Sequence, residues 1–119
     1  MPVVDGNGLR MENKIRRLGI DDCRELLNCD VVARTYEEGV RALMALGHFD
    51  ELYLDHDLCS VKTCENNGRE MTGYDVVVFL EWNPEYRPGK VILVTQNPVG
   101  RQKMVEALKR MYGELYDGN

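Results

Sequence analysis

No stretch of the chain approaches the roughly 20 consecutive apolar residues needed to cross a bilayer. The opening MPVVDGNGLRMENK also lacks the apolar centre of a secretory leader. Neither a membrane span nor export is expected, and a cytoplasmic location is. Positive charge is short as well, since 15 Lys and Arg face 20 Asp and Glu for a net charge of −5. Polynucleotide binders neutralise many phosphates with clustered cations, so an extended nucleic-acid groove is not expected, although a local basic pocket stays open. Histidine is scarce, with only His48 and His56. The four cysteines, Cys23, Cys29, Cys59 and Cys64, have no sign of an oxidising compartment around them and a chain this long builds a core unaided, so reduced thiols are expected. His56, Cys59 and Cys64 fall close in sequence, but Cys-x4-Cys is at the loose edge of zinc spacing and has no second pair. Ordinary loop cysteines are the favoured reading. There is no internal repeat and no low-complexity segment.

What is present is one domain's worth of apolar sequence: 119 residues, 44% hydrophobic. Residues 1–14 carry the turn dipeptides Asp5-Gly6 and Asn7-Gly8 and read as an N-terminal extension, leaving 15–119 as a single domain. Strands are predicted over Ile15 to Ile20 and Asp30 to Arg34. A helix then starts at Thr35, with Glu38 completing a capping box, and closes at Gly47. Leu52 to Leu54 form a third strand that runs into Asp55. The sixteen residues Leu58 to Gly73 lack apolar periodicity and form either a binding loop or a surface insertion. Tyr74 to Trp82 is apolar enough for a strand, but the Thr72/Asp75 cap and the Asn83-Pro84 stop favour a helix. Lys90 to Thr95 is an apolar run suited to a buried parallel strand. Asn97-Pro98 opens a last helix that ends at Gly113, and the tail adds at most a stub of strand. Alternating strands and helices predict an open parallel sheet in three layers, with helices on both faces, four or five strands and a truncated fifth.

Ligands of such sheets bind at the carboxyl ends of the strands. Three predicted strand ends collect there: Asp21-Asp22, Asp55-His56-Asp57 and Thr95-Gln96-Asn97. Crowded carboxylates repel one another unless a cation sits among them, and hard oxygen donors suit Mg²⁺. The plain alternative is that some are helix caps or solvated loop ends. Asn97-Pro98-Val99-Gly100-Arg101 combines a helix start, a small residue and a cation, which makes a ready anion site. Arg24 and Arg34 are further anion-binding candidates or ordinary surface charges.

The succession GIDDCR, VVARTYEEGVRAL, LYLDHDL, TGYDVVVFL and VILVTQNPVGRQKM resembles the receiver-like domains proposed to process cyclic phosphates. These are relatives of the phosphoacceptor receivers of two-component signalling, and the resemblance runs from Ile15 to about Tyr112. It implies a receiver/flavodoxin-like fold. It further implies that Asp21 and Asp22 hold Mg²⁺ with Asp55 as third contact or nucleophile, and that Thr95 touches a phosphoryl oxygen. By the same resemblance His56 moves a proton with Asp57 orienting it, while Asn97, Gly100 and Arg101, helped by Arg24 and Arg34, bind the phosphate-bearing ligand. Two departures stand out. Val94 occupies a position where the family has a histidine, and no strand carries the lysine of signalling receivers. The expectation is a metal-assisted phosphoesterase, a hydrolase or phosphodiesterase acting on cyclic-phosphate nucleotides or RNA ends. The alternative is a nucleotide-binding or pseudo-receiver module without turnover.

Overall fold

The computed structural model describes residues 15–26, 28–58, 65–66 and 69–119. The N-terminal extension, Cys59 and Cys64 lie outside the described residues. Strands β1 (Arg17–Ile20), β2 (Val31–Ala33), β3 (Glu51–Leu54) and β6 (Lys90–Leu93) form one sheet in the order β2-β1-β3-β6, and every pair is parallel. Helices α1 (Tyr36–Ala45), α2 (Gly73–Trp82) and α3 (Pro98–Tyr112) alternate with the strands, and a small hairpin, β4 (Glu65–Asn66) with β5 (Arg69–Glu70), interrupts the long connection before α2. No helix among the described residues is long and apolar enough to cross a membrane.

The helix ends follow their capping chemistry. Thr72 and Asp75 form a reciprocal capping box at α2. At α1 the Thr35 hydroxyl accepts from the Glu38 N–H, but the Glu38 carboxylate takes the N–H of Arg34 (2.8 Å) rather than that of Thr35, so the box is displaced by one residue. Gly47 (φ 82°) and Gly113 (φ 111°) follow α1 and α3 with backbone angles that β-carbon-bearing residues rarely adopt. Asn83-Pro84 ends α2 as expected, in a 3₁₀ turn over Pro84–Tyr86.

Alternation along the strands separates the two faces of the sheet. Leu18, Ile20, Leu52, Leu54, Val91 and Leu93 are buried in one cluster with residues from all three helices, among them Leu43, Val77 and Leu108. The helices therefore share one face. The α1 and α2 crossovers both step across the sheet in one direction, from β2 to β3 and from β3 to β6, and right-handedness puts both on the same side. Only the β1-to-β2 step runs the other way. Its connection, Asp21 to Asp30, contains no helix among the described residues, so the third layer expected from sequence is not found there. Leu26 and Cys29 lie over Gly19 instead, where a β-carbon would meet both side chains. The same face carries a polar cluster: Glu51 accepts from Arg17 Nε (2.8 Å) and Tyr53 OH (3.0 Å), with Lys90 Nζ at 3.6 Å.

Among the described residues no fifth strand joins this sheet, and the tail takes its place. Lys90 and Val94 donate toward β3, leaving the N–H groups of Val91 and Leu93 on the free edge. They donate to Tyr116 OH (2.7 Å) and to the Gly118 carbonyl (2.8 Å), so the tail satisfies the donors that would otherwise template another strand. Tyr116 stacks on Tyr112, whose hydroxyl donates to the Pro88 carbonyl (2.6 Å). Burial raises both phenols to about 12. A raised phenol pKa favours the neutral folded state, so this stabilisation is complete below the ordinary phenol value of about 10 and is lost as pH rises from there toward 12. Thermal melts should therefore show a falling midpoint across that window, together with phenolate absorbance. A midpoint unchanged to pH 12 would contradict the tail's role.

Candidate functional site

Three loops meet at the carboxyl edge of the sheet because β1, β3 and β6 are parallel neighbours, which puts Asp21, Asp55 and Thr95 on adjacent strand ends. All three are buried polar residues. Asp21 is fully enclosed. Its Oδ1 accepts from the backbone N–H groups of Cys23 (3.1 Å) and Arg24 (2.9 Å), and its Oδ2 accepts from Arg24 Nη1 (2.8 Å). The same Nη1 lies 3.8 Å from Asp55 Oδ2. One guanidinium thus serves both carboxylates. Arg34 tightens this turn from outside, its Nη1 donating to the carbonyls of Asp21 (3.1 Å) and Arg24 (2.7 Å).

Asp55 is held above the ordinary carboxylate range, first by burial and then by the charge of Asp21. The Thr95 hydroxyl, the His56 N–H (2.8 Å to Oδ1) and Arg24 pull in the opposite direction. The next residue turns the chain: the His56 carbonyl accepts from the Gly73 N–H (2.7 Å) at the start of α2. That turn lets the side chains of two consecutive residues, Asp55 and His56, face the same edge. The His56 Nδ1 is 2.9 Å from Asp57 Oδ1 and 3.5 Å from Asn97 Nδ2, and its ring lies against Gly100 in the first turn of α3. Asn97 caps α3 by accepting from the Gly100 N–H (3.0 Å), and its own N–H donates to Thr95 Oγ1 (3.0 Å).

The sequence-derived residues therefore divide. Asp21, Asp55, His56, Asp57, Thr95, Asn97 and Gly100 are linked by direct contacts around one edge, and Arg24 is among them. Arg34 engages only the backbone carbonyls of Asp21 and Arg24 within this group, and Arg101 points its guanidinium elsewhere. Arg101 donates to the carbonyls of Leu93 (3.2 Å) and Asp117 (3.1 Å), tying the tail to β6. This internal engagement gives it a structural use in place of a free cation at the pocket. His48, the other histidine, is exposed on the chain entering β3, at the sheet's opposite end.

Among the described residues, the donors close enough to share one cation are Asp21, Asp22 and Cys23, whose ligand atoms lie within 4.8 Å of one another. Asp55 is outside that group. The two carboxylates are hard donors that fit Mg²⁺, whereas the Cys23 thiol is kept protonated by its hydrogen bond to Asp22, which raises its pKa. A divalent ion thus fits on the Asp21–Asp22 side. One shared by Asp21 and Asp55 does not fit while the Arg24 guanidinium serves both. The Arg24 side chain is 38% exposed and has room to swing outward.

Three features escaped the reading of the sequence. Arg24 is the counter-ion of the acids, Cys23 stands beside the acidic pair, and Gly73 meets the Asp55–His56 backbone so closely that a β-carbon would collide with the Asp55 carbonyl. Only the last had a usable signal, since a glycine in the first turn of a strongly capped helix calls for a packing reason.

A family model described as the cyclic-phosphate processing receiver domain matches residues 16–110. No curated protein and no solved structure matches the chain.

Proposed function

From the premise that the chain belongs to the cyclic-phosphate processing receiver domains, we propose that it opens a cyclic phosphate on a nucleotide or an RNA end, with His56 as the proton carrier. One observation carries this reading: the imidazole bridges two loops beside buried Asp55, with Nδ1 2.9 Å from the Asp57 carboxylate. Asp57 orients the ring, and Nε2 accepts the proton of a water attacking phosphorus. One P–O bond of the cyclic ester breaks, and the departing ribose oxygen takes a proton from solvent, leaving a phosphate monoester. Thr95, Asn97 and the Val99 N–H in the first turn of α3 suit the phosphoryl oxygens. Asp21 and Asp22 would hold a Mg²⁺ ion, which when bound supplies Lewis-acid polarisation of the phosphoryl group.

A second reading, binding without turnover, draws support from the Arg24 guanidinium on both Asp21 and Asp55 and from Val94 at the family's histidine position. Incubation of the pure protein with Mg²⁺ and a panel of 2′,3′- and 3′,5′-cyclic nucleotides, followed by chromatography, separates the two. Monoester product at multiple turnovers supports the first reading. Stoichiometric retention of unchanged ligand supports the second, and neither outcome with any member of the panel would discard both.

A further inference from the structure

The helix that begins at Pro98 has a glycine, Gly100, in its first turn. Its backbone is helical and its φ is not positive, so no conformational demand requires glycine there. Alanine is the better helix former at such a position. The requirement is one of space. A β-carbon on Gly100 would stand 2.5 Å from both Cγ and Cδ2 of the His56 imidazole and 2.8 Å from its Nδ1. Nor can the ring retreat with its backbone, because the His56 N–H is bound to Asp55 Oδ1 (2.8 Å) and its carbonyl to the Gly73 N–H (2.7 Å).

The hydrogen-bond roles around the ring then follow. An ionised carboxylate only accepts, so Asp57 Oδ1 at 2.9 Å requires the proton on Nδ1. Asn97 directs its Oδ1 to the Gly100 N–H, so the group it turns toward Nδ1 is its NH₂, a donor that favours an unprotonated Nδ1 but at 3.5 Å makes the longer and weaker contact of the two. No described residue bonds Nε2.

We propose that Gly100 and Asp57 act together as positioning residues for His56, holding its imidazole as the Nδ1–H tautomer with Nε2 as the free basic nitrogen. Gly100 supplies the space in which the ring meets Asp57, and Asp57 supplies the acceptor. The inference rests on the reading of His56 as proton carrier, but the tautomer is measurable without any substrate.

The experiment is long-range ¹⁵N–¹H correlation of the histidine rings in labelled full-length protein at about pH 8.5, above the ordinary imidazole range. Wild type, Gly100→Ala and Asp57→Ala are compared, with His48 as the internal reference. The expected result is an Nδ1–H pattern for His56 in wild type and a shift toward Nε2–H in both variants, with unchanged circular dichroism. Gly100→Ala should also lower turnover at least tenfold although it improves the helix. An Nε2–H pattern in wild type, or the wild-type pattern retained in Asp57→Ala, would overturn the proposal, and so would its retention in a folded Gly100→Ala. Should Gly100→Ala fail to fold, Asp57→Ala alone decides. Expected tautomers together with no cyclic-phosphate opening by wild type would sustain the positioning and defeat the functional reading.

Discussion

Replacing His56 with alanine should lower cyclic-phosphate opening by about 10²- to 10⁴-fold, the usual contribution of a positioned general base. The fold should survive. Among the described residues the ring's nearest polar partner is Asp57, whose side chain is 64% exposed, so little stability is invested in that contact. The backbone groups of His56 that hold the turn, its N–H on Asp55 and its carbonyl on Gly73, remain in the variant. Loss of turnover with an unchanged thermal midpoint is the result that assigns chemistry to the imidazole. Turnover within twofold of wild type would remove His56 from the mechanism. A second route to the same base is absent, because the only other histidine, His48, lies at the opposite end of the sheet.

Arg24→Ala should destabilise the protein and at the same time open the acidic turn to divalent ions. Asp21 is fully enclosed and loses the one charged hydrogen-bond donor it has among the described residues, while Asp55 loses a cation 3.8 Å away. Breaking a fully buried pair costs about 3–5 kcal/mol. The guanidinium is 38% exposed, so solvent screening brings the expectation down to about 1–2 kcal/mol. The Asp21 backbone-donated bonds from Cys23 and Arg24 remain and limit the loss. Mg²⁺ should recover part of that loss by mass action, raising the variant's melting midpoint more than wild type's. Equal responses of the two proteins to Mg²⁺ would mean that Arg24 and the ion do not compete for Asp21. An undiminished midpoint without metal would mean that the ion pair is not the counter-charge its geometry describes.

The residues that declare themselves in the sequence are those whose signal is local. Thr72 with Asp75, Asn97 before Pro98, and glycines after helix ends satisfy or terminate nearby backbone groups, and each performs that role in the structure. The strand ends were legible for a related reason: an apolar run stopping at Asp21, Asp55 or Thr95 marks where buried sheet meets the polar carboxyl edge. The hairpin of Glu65–Asn66 with Arg69–Glu70 had a signal too, since Asn67-Gly68 is a strong turn dipeptide between them, but the surrounding polar residues concealed strands only two residues long.

What remained hidden depends on distance across the fold. Among the described residues no helix stands between β1 and β2, in keeping with a ten-residue connection, short for a crossover, yet a one-sided helical layer becomes visible only when the strand order is known. Arg24 reads in sequence as a cation available to a ligand. Folding instead gives it two internal carboxylates, because Asp21 and Asp55 arrive on neighbouring strands. Arg101 likewise reads as part of an anion site, and the carbonyls that engage it belong to β6 and to a tail with no recognisable element. Gly73 and Gly100 are both required by the volume of a segment remote in sequence.

The proposed activity of the edge built around His56 is the opening of a cyclic phosphate. The most direct measurement is a ³¹P NMR time course of a 2′,3′-cyclic nucleotide with catalytic amounts of the wild-type protein and of His56→Ala in parallel. Steady conversion of the cyclic-ester resonance to a monoester is expected with wild type, and conversion at least a hundredfold slower with the variant. A cyclic-ester resonance that persists unchanged with wild type, or that disappears equally fast with both proteins, would contradict it.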